Sequence, residues 1–240
     1  MPDRFNIRDY AYAHRGLWRE GGPTENSLEA FLLAANHGLG IEFDVRPASD
    51  GVPIVFHDPV LVRMTDKTGP TEQFSSEDLI GMTLKGGGEI ISLSTLLHAW
   101  PAKTPLLCEM KVDGSTDPTL FAEVVAKCFS EHAGPAAIMS FSTQAVAAIP
   151  TSIMRGQLIA PAEGDISAEL ASVPKTTVDY LACHVGDAAN LSLQKARAHL
   201  PLVTWTVKSQ AECAELSNIT DSQIFEGFDP DLAKRHILNT

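Results

Sequence analysis

The sequence predicts a (β/α)8 barrel, the TIM-barrel fold, with a hairpin and a long loop inserted after the second strand. Short apolar runs alternate with segments of helical periodicity along most of the chain, as in a parallel sheet covered by helices. Eight runs remain when the hairpin strand is left out, and they begin at residues 11, 41, 105, 136, 153, 178, 201 and 222. Because such barrels commonly take about 200 to 250 residues as one unit, residues 1–240 are expected to form a single domain.

The first two barrel strands and the helix between them are marked by apolar spacing. Residues 10–14 form a short apolar run, and ENSLEAFLLAANHG has apolar residues at helical spacing from Leu28 until Gly38 ends it. The second strand covers residues 41–45. A Ser-Asp-Gly turn leads into a strand over residues 52–56, and because this connection is too short to contain a helix, a hairpin is predicted.

Residues 59–91 are charged and rich in Gly and Thr, and a loop of this length is usually functional or mobile. The Gly86–Gly88 run lacks the Lys-Ser/Thr pair of a P-loop, so it is interpreted as a flexible connection.

After residue 91 predicted strands and helices alternate regularly. Predicted strands cover residues 105–110, 136–141, 153–159, 178–183, 201–207 and 222–226, and predicted helices cover residues 92–100, 117–132, 142–149, 165–172, 190–199, 209–217 and 229–238.

The composition restricts the class of partner. A formal net charge of −12 opposes attraction to nucleic acid or to an anionic membrane, so neither is expected as a stable partner. The four cysteines are widely spaced, which is typical of reduced thiols. With no apolar leader and no run of about 18 apolar residues, we expect a cytoplasmic protein that acts on a small molecule. The oligomeric state stays open.

Histidines and carboxylates recur where the predicted strands end. His14 ends the first strand and His57 ends the hairpin. Glu42 and Asp44 lie two positions apart in the second strand, so both project from the same face. Glu109, near the end of the next strand, adds a third carboxylate. Because the active sites of such barrels lie at the carboxyl ends of the strands, these groups are candidates for one site.

The three carboxylates allow two interpretations, because buried charges must be paired or must bind metal. One is an ion-pair network with Arg15, Arg46 and Lys111. The other, which we prefer, is a site for one divalent cation, Mg²⁺ or Ca²⁺, since both are hard ions that bind oxygen. The Arg15 guanidinium also forms a planar fork suited to phosphate. The pattern therefore points to a metal-assisted phosphoester-cleaving site.

Motifs in a fixed order extend over nearly the whole chain: AHRG, TENS, IEFDVRPASDG, IVFHDP, VRMTDKTG, SSEDL, LLCEMK and VTWTVK. In these motifs the chain resembles the glycerophosphodiester phosphodiesterase family, itself similar to the phosphatidylinositol-specific phospholipase C barrels. The resemblance implies acid/base catalysis by His14 and His57, metal binding by Glu42, Asp44 and Glu109, and phosphate contacts from Arg15 and Lys111.

The resemblance also implies a reaction, the hydrolysis of glycerophosphodiesters to sn-glycerol 3-phosphate and an alcohol. One histidine would accept the proton of the nucleophile and the other would protonate the leaving oxygen, and which does which stays open. In the phospholipase C barrels the substrate's own neighbouring hydroxyl attacks, and glycerol 3-phosphodiesters carry one at C2. Two alternatives remain. One is the same chemistry on a lysophospholipid or a sugar phosphodiester, which an apolar groove at the barrel mouth would indicate. The other is a non-catalytic binding barrel.

Three segments depart from the family's usual pattern. Ile91–Thr95 replaces Pro-Thr-Leu-Glu-Glu, Glu226–Pro230 replaces Thr-Asp-x-Pro, and Lys208 stands where Asn is common. None of them contains a predicted metal ligand or a predicted acid/base histidine. They make Ser94, Lys208 and Glu226 candidates for the rim of the site.

Trp205, near the end of the seventh strand, is either a packing residue or an apolar wall for the carbon face of glycerol. We take it as a substrate-binding candidate. His184 either faces the site or closes a turn. The other histidines are interpreted as packed or solvated, and these are His37, His98, His132, His199 and His236.

Overall fold

The computed structural model describes residues 4–101, 103–160, 166–173 and 178–238. In chain order the strands are β1 (Tyr12–His14), β2 (Gly40–Pro47), β3 (Pro53–Val55), β4 (Leu106–Met110), β5 (Ala136–Ser140), β6 (Met154–Leu158), β7 (Tyr180–His184), β8 (Leu202–Val207) and β9 (Ser222–Phe225). The helices are α1 (Leu28–Asn36), α2 (Ser76–Leu79), α3 (Leu93–Ala99), α4 (Pro118–Cys128), α5 (Thr143–Ala148), α6 (Ile166–Ser172), α7 (Leu191–Arg197), α8 (Gln210–Leu216) and α9 (Pro230–Leu238).

All strands except β3 pair in parallel around a closed barrel. The order is β1-β9-β8-β7-β6-β5-β4-β2, and the pairing of β1 with β2 closes the sheet. β3 pairs antiparallel with β2 and lies outside this closure. At least one helix separates each barrel strand from the next. The predicted (β/α)8 barrel and the hairpin outside it are therefore confirmed.

Side chains of β2 alternate between the helix layer and the barrel interior, as a period of two requires. Ile41, Phe43 and Val45 pack into the apolar core beneath the helices. Glu42 and Asp44 occupy the alternate positions and are buried. The alternation that stabilises the sheet thus also directs the two carboxylates into the barrel.

Two tyrosines fill the barrel interior. Tyr12 and Tyr180 are fully buried within an apolar cluster contributed by several strands. Glycine is required beside each ring: a Cβ at Gly156 would lie 2.2 Å from the Tyr180 ring, and one at Gly40 would lie 2.6 Å from the Tyr12 ring. Because each large tyrosine ring packs against a glycine, apolar side chains fill the interior of the barrel.

The helices begin at residues that the sequence marks. Ser27 caps α1 by accepting the Ala30 N–H at 3.2 Å, and Asp117 caps α4, whose first residue is Pro118. The predicted helix over residues 117–132 ends at Cys128 and continues only as a short 3-10 turn. Among the described residues, no helix combines the length and the apolar character needed to cross a membrane.

The inserted segment 59–91 is more ordered than its composition predicted. It contains α2 and two 3-10 turns, and its apolar residues form a small core with the hairpin. Leu61, Leu79 and Ile90 in this core are fully buried. The glycine run is a tight turn rather than a loose connection, because the Gly87 N–H donates to the Leu84 carbonyl oxygen at 2.9 Å. It also packs closely, since a Cβ at Gly86 would lie 2.4 Å from Thr24 Oγ1. Packing against the hairpin orders the segment, and the irregular spacing of its apolar residues gave no sign of this packing.

Candidate active site

The site lies at the carboxyl ends of the barrel strands. His14 is the last residue of β1 and is in register with Glu42 of β2, while Asp44 is in register with Glu109 of β4. His57 follows β3 by two residues. Because the strands of a parallel barrel end at one rim, the structure brings these predicted site residues to the same end of the fold.

The three carboxylates form one buried cluster. One oxygen from each of Glu42, Asp44 and Glu109 lies within 4.8 Å of the others. Burial raises the pKa of Glu42, and the neighbouring carboxylates raise it further. Burial also raises the pKa of Glu109. Burial acts in the same direction on Asp44, but Lys111 and Arg15 outweigh it and lower the pKa of Asp44. The charge of Glu42 is therefore poorly compensated.

Two cationic side chains enter this cluster. Lys111 Nζ lies 3.0 Å from Asp44 Oδ1 and 2.5 Å from Glu109 Oε1. Arg15 Nε lies 3.2 Å from Asp44 Oδ2. Arg46, a third member of the alternative ion-pair network, pairs instead with two acidic residues outside the cluster. The three carboxylates outnumber these two cations, and the all-oxygen donor set fits a hard divalent cation.

His14 is held through Nδ1 by a carboxylate. Its Nδ1–H donates to Glu226 Oε2 at 2.6 Å, and its Nε2 lies 3.8 Å from Glu42 Oε2. Lys208 Nζ lies 3.2 Å from the other oxygen, Glu226 Oε1. Burial opposes ionisation of Glu226, but the hydrogen bond from His14 and the charge of Lys208 lower the pKa of Glu226 to about 2. A fixed anion thus orients His14.

His57 is held in the same way. Its Nδ1–H donates to Asp58 Oδ1 at 2.7 Å, and Arg63 donates to both oxygens of Asp58. Burial is the main cause that lowers the pKa of His57. Arg46 fixes the main chain at this position, because its Nε donates to the His57 carbonyl oxygen at 2.7 Å.

The turn after β1 orients Arg15 towards the carboxylates. Arg15 and Asn26 both adopt left-handed backbone conformations, with φ of 56° and 55°, which are uncommon outside glycine. The Asn26 N–H donates to the Arg15 carbonyl oxygen at 3.0 Å, and Asn26 Nδ2 donates to Asp44 Oδ2 at 2.9 Å. Glu25 Oε1 accepts from Arg15 Nη1 at 2.8 Å. These contacts connect the first turn directly to β2.

Aromatic rings line the mouth near β7 and β8. Trp205 is in register with His184, and their ring centroids lie 5.5 Å apart. Phe141, which is 40% exposed, also contacts Trp205 edge to face, with centroids 5.8 Å apart. His184 Nδ1 also accepts the Gly186 N–H at 3.1 Å, so it both closes a turn and packs beside Trp205.

Two of the three rim candidates reach the site. Lys208 and Glu226 act on His14, as described above. Ser94 instead hydrogen-bonds with His98 and lines a cavity between α3 and α4, outside the barrel. The segment 91–95, which differs from the usual family pattern, therefore lies outside the site.

Polar partners of the site residues had no role assigned from the sequence. They are Glu25, Asn26, Asp58 and Arg63. All four lie inside the motifs that carry the family resemblance, which was the available signal. The Glu25–Arg63 and Asn26–Asp44 contacts join residues 38 and 18 positions apart and could not be identified without the fold, whereas Asp58 directly follows His57 in the sequence.

Two cavities adjoin the site. One of about 230 Å³ is lined by His57, Glu109, Lys111 and Phe141. A second, of about 830 Å³, lies between α1 and the loop after β9; its lining includes Leu17, Trp18, Leu33, Lys208, Glu226 and Phe228. The second is partly apolar and contacts the site through Glu226.

The sequence profile of the glycerophosphoryl diester phosphodiesterase family matches residues 14–220, which include the entire acidic cluster and both histidines. The chain belongs to this family.

Members of the family share short, similar segments with this chain. Human glycerophosphodiester phosphodiesterase 1 is 43% identical over 60 residues, which cover 25% of this chain and 18% of the human protein. A probable glycerophosphodiester phosphodiesterase 2 of Mycobacterium tuberculosis is 33% identical over 119 residues, covering 49% of this chain and 44% of that protein. The matched regions thus span less than half the length of these curated relatives.

The barrel itself is similar to solved structures of the family. A phosphodiesterase of Oleispira antarctica, solved in complex with the product sn-glycerol 3-phosphate, aligns with a TM-score of 0.78 and 22% identity. The alignment covers 96% of this chain and 97% of that one. At this identity the likeness supports the fold.

Proposed function

We propose that the protein is a metal-dependent glycerophosphodiester phosphodiesterase, which hydrolyses glycerophosphodiesters to sn-glycerol 3-phosphate and an alcohol. One observation carries this proposal: a buried cluster of Glu42, Asp44 and Glu109 lies with two histidines, each held through Nδ1 by a carboxylate. Family membership supports the reaction, and the product bound to the Oleispira relative supports the substrate class.

The acidic cluster would hold one divalent cation, Mg²⁺ or Ca²⁺. When bound, such a cation supplies Lewis-acid polarisation of a phosphoryl oxygen and lowers the pKa of an attacking hydroxyl. The fit is supported by the three buried oxygen ligands and by the raised pKa of Glu42, whose ionised form is poorly compensated without a further cation. A buried group of like charges is otherwise unfavourable.

Arg15 and Lys111 would bind the phosphate. Both already lie beside Asp44, and Lys111 is also held by Glu109, so the cluster fixes their charged groups in place. Charges fixed in advance stabilise the extra negative charge of the transition state without reorganisation. Arg15 can contact two phosphate oxygens through its planar fork, whereas Lys111 acts as a single point charge.

The two histidines would transfer the protons. His57 is the proposed base, because its lowered pKa keeps its imidazole neutral and able to accept a proton near neutral pH. His14 is then the proposed acid, which protonates the leaving oxygen. In each ring the Nδ1–H is already used in a hydrogen bond to a carboxylate, which leaves Nε2 for the substrate.

A lysophospholipid is the second candidate substrate. The cavity of about 830 Å³ beside Glu226 favours it, since Leu17, Trp18, Leu33 and Phe228 offer apolar surface next to the site. Trp205 would contact the glycerol carbons in either case. A non-catalytic barrel is disfavoured, because the chain retains every proposed ligand and both histidines.

We also propose that the protein acts on a small molecule and is located in the cytoplasm. A net charge of −12 supports a small-molecule substrate rather than a polyanionic partner, and four free cysteines are consistent with a reducing, cytoplasmic location. We also propose that residues 1–240 act as one domain, since the described strands form one sheet.

Turnover of glycerophosphocholine, glycerophosphoethanolamine and a lysophosphatidylcholine tests these proposals, each with and without chelator. Release of sn-glycerol 3-phosphate from the first two, abolished by chelator, is the expected result. Release of a lysophosphatidic acid alone would favour the second candidate. No turnover of any of the three would contradict the proposed function.

A further inference from the structure

Arg63 makes four side-chain hydrogen bonds to carboxylates and has no role in the proposed mechanism. It is the last residue of a 3-10 turn, Leu61–Arg63, in the inserted segment. Its Nη2 lies 2.9 Å from Asp58 Oδ1 and 2.6 Å from Glu25 Oε1. Its Nη1 lies 3.0 Å from Glu25 Oε2, and its Nε donates to Asp58 Oδ2. One guanidinium thus contacts all four oxygens of two carboxylates.

These two carboxylates serve different parts of the site. Asp58 Oδ1 accepts the Nδ1–H of His57 at 2.7 Å. Glu25 Oε1 accepts from Arg15 Nη1 at 2.8 Å, and Arg15 in turn pairs with the acidic cluster. Arg63 therefore lies between the proposed base and the proposed phosphate ligand and is joined to each through one carboxylate.

In this network the positive charge of Arg63 lies between the negative charges of Glu25 and Asp58. Although burial acts in the opposite direction, the hydrogen bonds from Arg63 lower the pKa of Glu25 and of Asp58. The hydrogen bonds to Glu25 and then to Asp58 raise the pKa of Arg63. Without the guanidinium, the two anions would face each other and would lose the donor that fixes both of them.

The 3-10 turn that carries Arg63 is packed in the inserted segment, although the Arg63 side chain itself is 45% exposed. Leu61, two residues earlier, is fully buried in the small core of the inserted segment. The Leu61 N–H donates to the Gly69 carbonyl oxygen at 3.1 Å, and Thr65 Oγ1 donates to the Leu61 carbonyl oxygen at 3.1 Å. The turn that carries Arg63 is thus anchored through Leu61, its first residue.

We propose that Arg63 is a positioning residue that holds His57 and Arg15 in a fixed relation to each other. In this proposal the inserted segment 59–91 has a function, because it places the Arg63 guanidinium at the mouth of the barrel. The proposal rests on the function proposed above, in which His57 transfers a proton and Arg15 binds phosphate. Arginine is required because the four contacts use three nitrogens of one rigid plane, a geometry that a lysine ammonium cannot reproduce.

Arg63→Lys and Arg63→Met test the proposal, with Arg235→Lys, at an exposed position on α9, as the matched control. For both Arg63 variants we expect kcat to fall by about 10- to 100-fold and KM to rise, because the proton-transferring and phosphate-binding groups both lose their support. Arg235→Lys should match the wild type. Wild-type values in Arg63→Lys would show that charge alone suffices, and would overturn the proposal.

A double-mutant cycle separates positioning from a general loss of stability. If Arg63 acts on kcat through His57, Arg63→Met should lower kcat much less in a His57→Ala background than in the wild type. An undiminished loss in that background would contradict the proposal.

A measurement independent of turnover distinguishes a failure of this proposal from a failure of the proposed function. In proton NMR the His57 Nδ1–H, identified by its absence in His57→Ala, should give a low-field resonance in the wild type and in Arg235→Lys. It should shift or disappear in both Arg63 variants. An unchanged resonance in Arg63→Lys and Arg63→Met would overturn the positioning role even in a protein that turned over none of the three substrates.

Discussion

Lys208 and Glu226 form an ion pair beyond the ends of β8 and β9, with Lys208 Nζ 3.2 Å from Glu226 Oε1. The other oxygen of Glu226 accepts the Nδ1–H of His14 at 2.6 Å. Lys208 stands where the family commonly has Asn, and Glu226 begins the segment that replaces Thr-Asp-x-Pro. The two unusual positions therefore contact each other and support the same histidine.

Glu226→Gln should lower kcat by about 10- to 100-fold, because a neutral amide accepts the His14 Nδ1–H more weakly than a carboxylate does and orients the imidazole less firmly. Lys208→Met should cost less than about threefold, since the Lys208 side chain is 69% exposed and its charge is screened. Steady-state kinetics on glycerophosphocholine measures both. Equal losses in the two variants would show that Lys208 has a direct role, and no loss in Glu226→Gln would remove Glu226 from the mechanism.

Glu226 should also contribute to stability in a way that depends on pH. Its pKa in the folded protein is about 2, below the usual glutamate value of about 4.3. A lowered pKa stabilises the folded state above the unfolded value, and this contribution is lost as the pH falls through the folded value. The Tm difference between wild type and Glu226→Gln should therefore shrink as the pH falls from about 5 towards 2.

Calorimetry at several pH values measures that difference, and Glu215→Gln, at an exposed position on α8, is the control. The control should show a small difference from the wild type at each pH. A constant Tm difference for Glu226→Gln across the range would mean that Glu226 does not lose a stabilising charge on acidification.

His14→Ala and His57→Ala should each reduce kcat strongly while the protein remains folded. The double variant should be little worse than the worse single variant, because groups that act as a unit give non-additive losses. Single-turnover kinetics with circular dichroism as a folding check measures this. Losses that multiply in the double variant would indicate that the two histidines act independently.

The attacking oxygen should be the C2 hydroxyl of the substrate. That hydroxyl is already held near phosphorus, and an intramolecular attack avoids the entropy needed to position a water molecule. A 2-deoxy analogue of glycerophosphocholine should bind but turn over about 100-fold more slowly, with the loss in kcat rather than in KM. Equal turnover of the analogue would favour direct attack by water, as would rapid-quench samples without a cyclic phosphate.

The sequence predicted the barrel well because its signal is periodic. In β2 the apolar residues Ile41, Phe43 and Val45 alternate with Glu42 and Asp44, and this alternation alone places the carboxylates inside. Strand order then follows from the parallel β-helix-β connections. The acidic cluster could be anticipated for the same reason, since its members lie at equivalent positions near strand ends.

The long-range supporting contacts could not be predicted, because they join distant parts of the chain. Arg63 meets Glu25 across 38 residues, and His14 meets Glu226 across 212 residues. No local period marks such pairs. The order of segment 59–91 was missed for a related reason: its buried residues, such as Leu61 and Leu79, are spaced irregularly and pack against the hairpin rather than along a helix or strand.

Metal reconstitution tests the central claim most directly, which is that Glu42, Asp44 and Glu109 hold the one cation needed for turnover. The protein is stripped with chelator and titrated with Mg²⁺ or Ca²⁺, while glycerophosphocholine turnover and Tm are followed together. We expect no turnover in the stripped protein, recovery in proportion to one ion bound per chain, a rise in Tm, and neither response in Glu42→Gln. Full turnover in excess chelator, or metal-dependent recovery of Glu42→Gln to the wild-type rate, would contradict it.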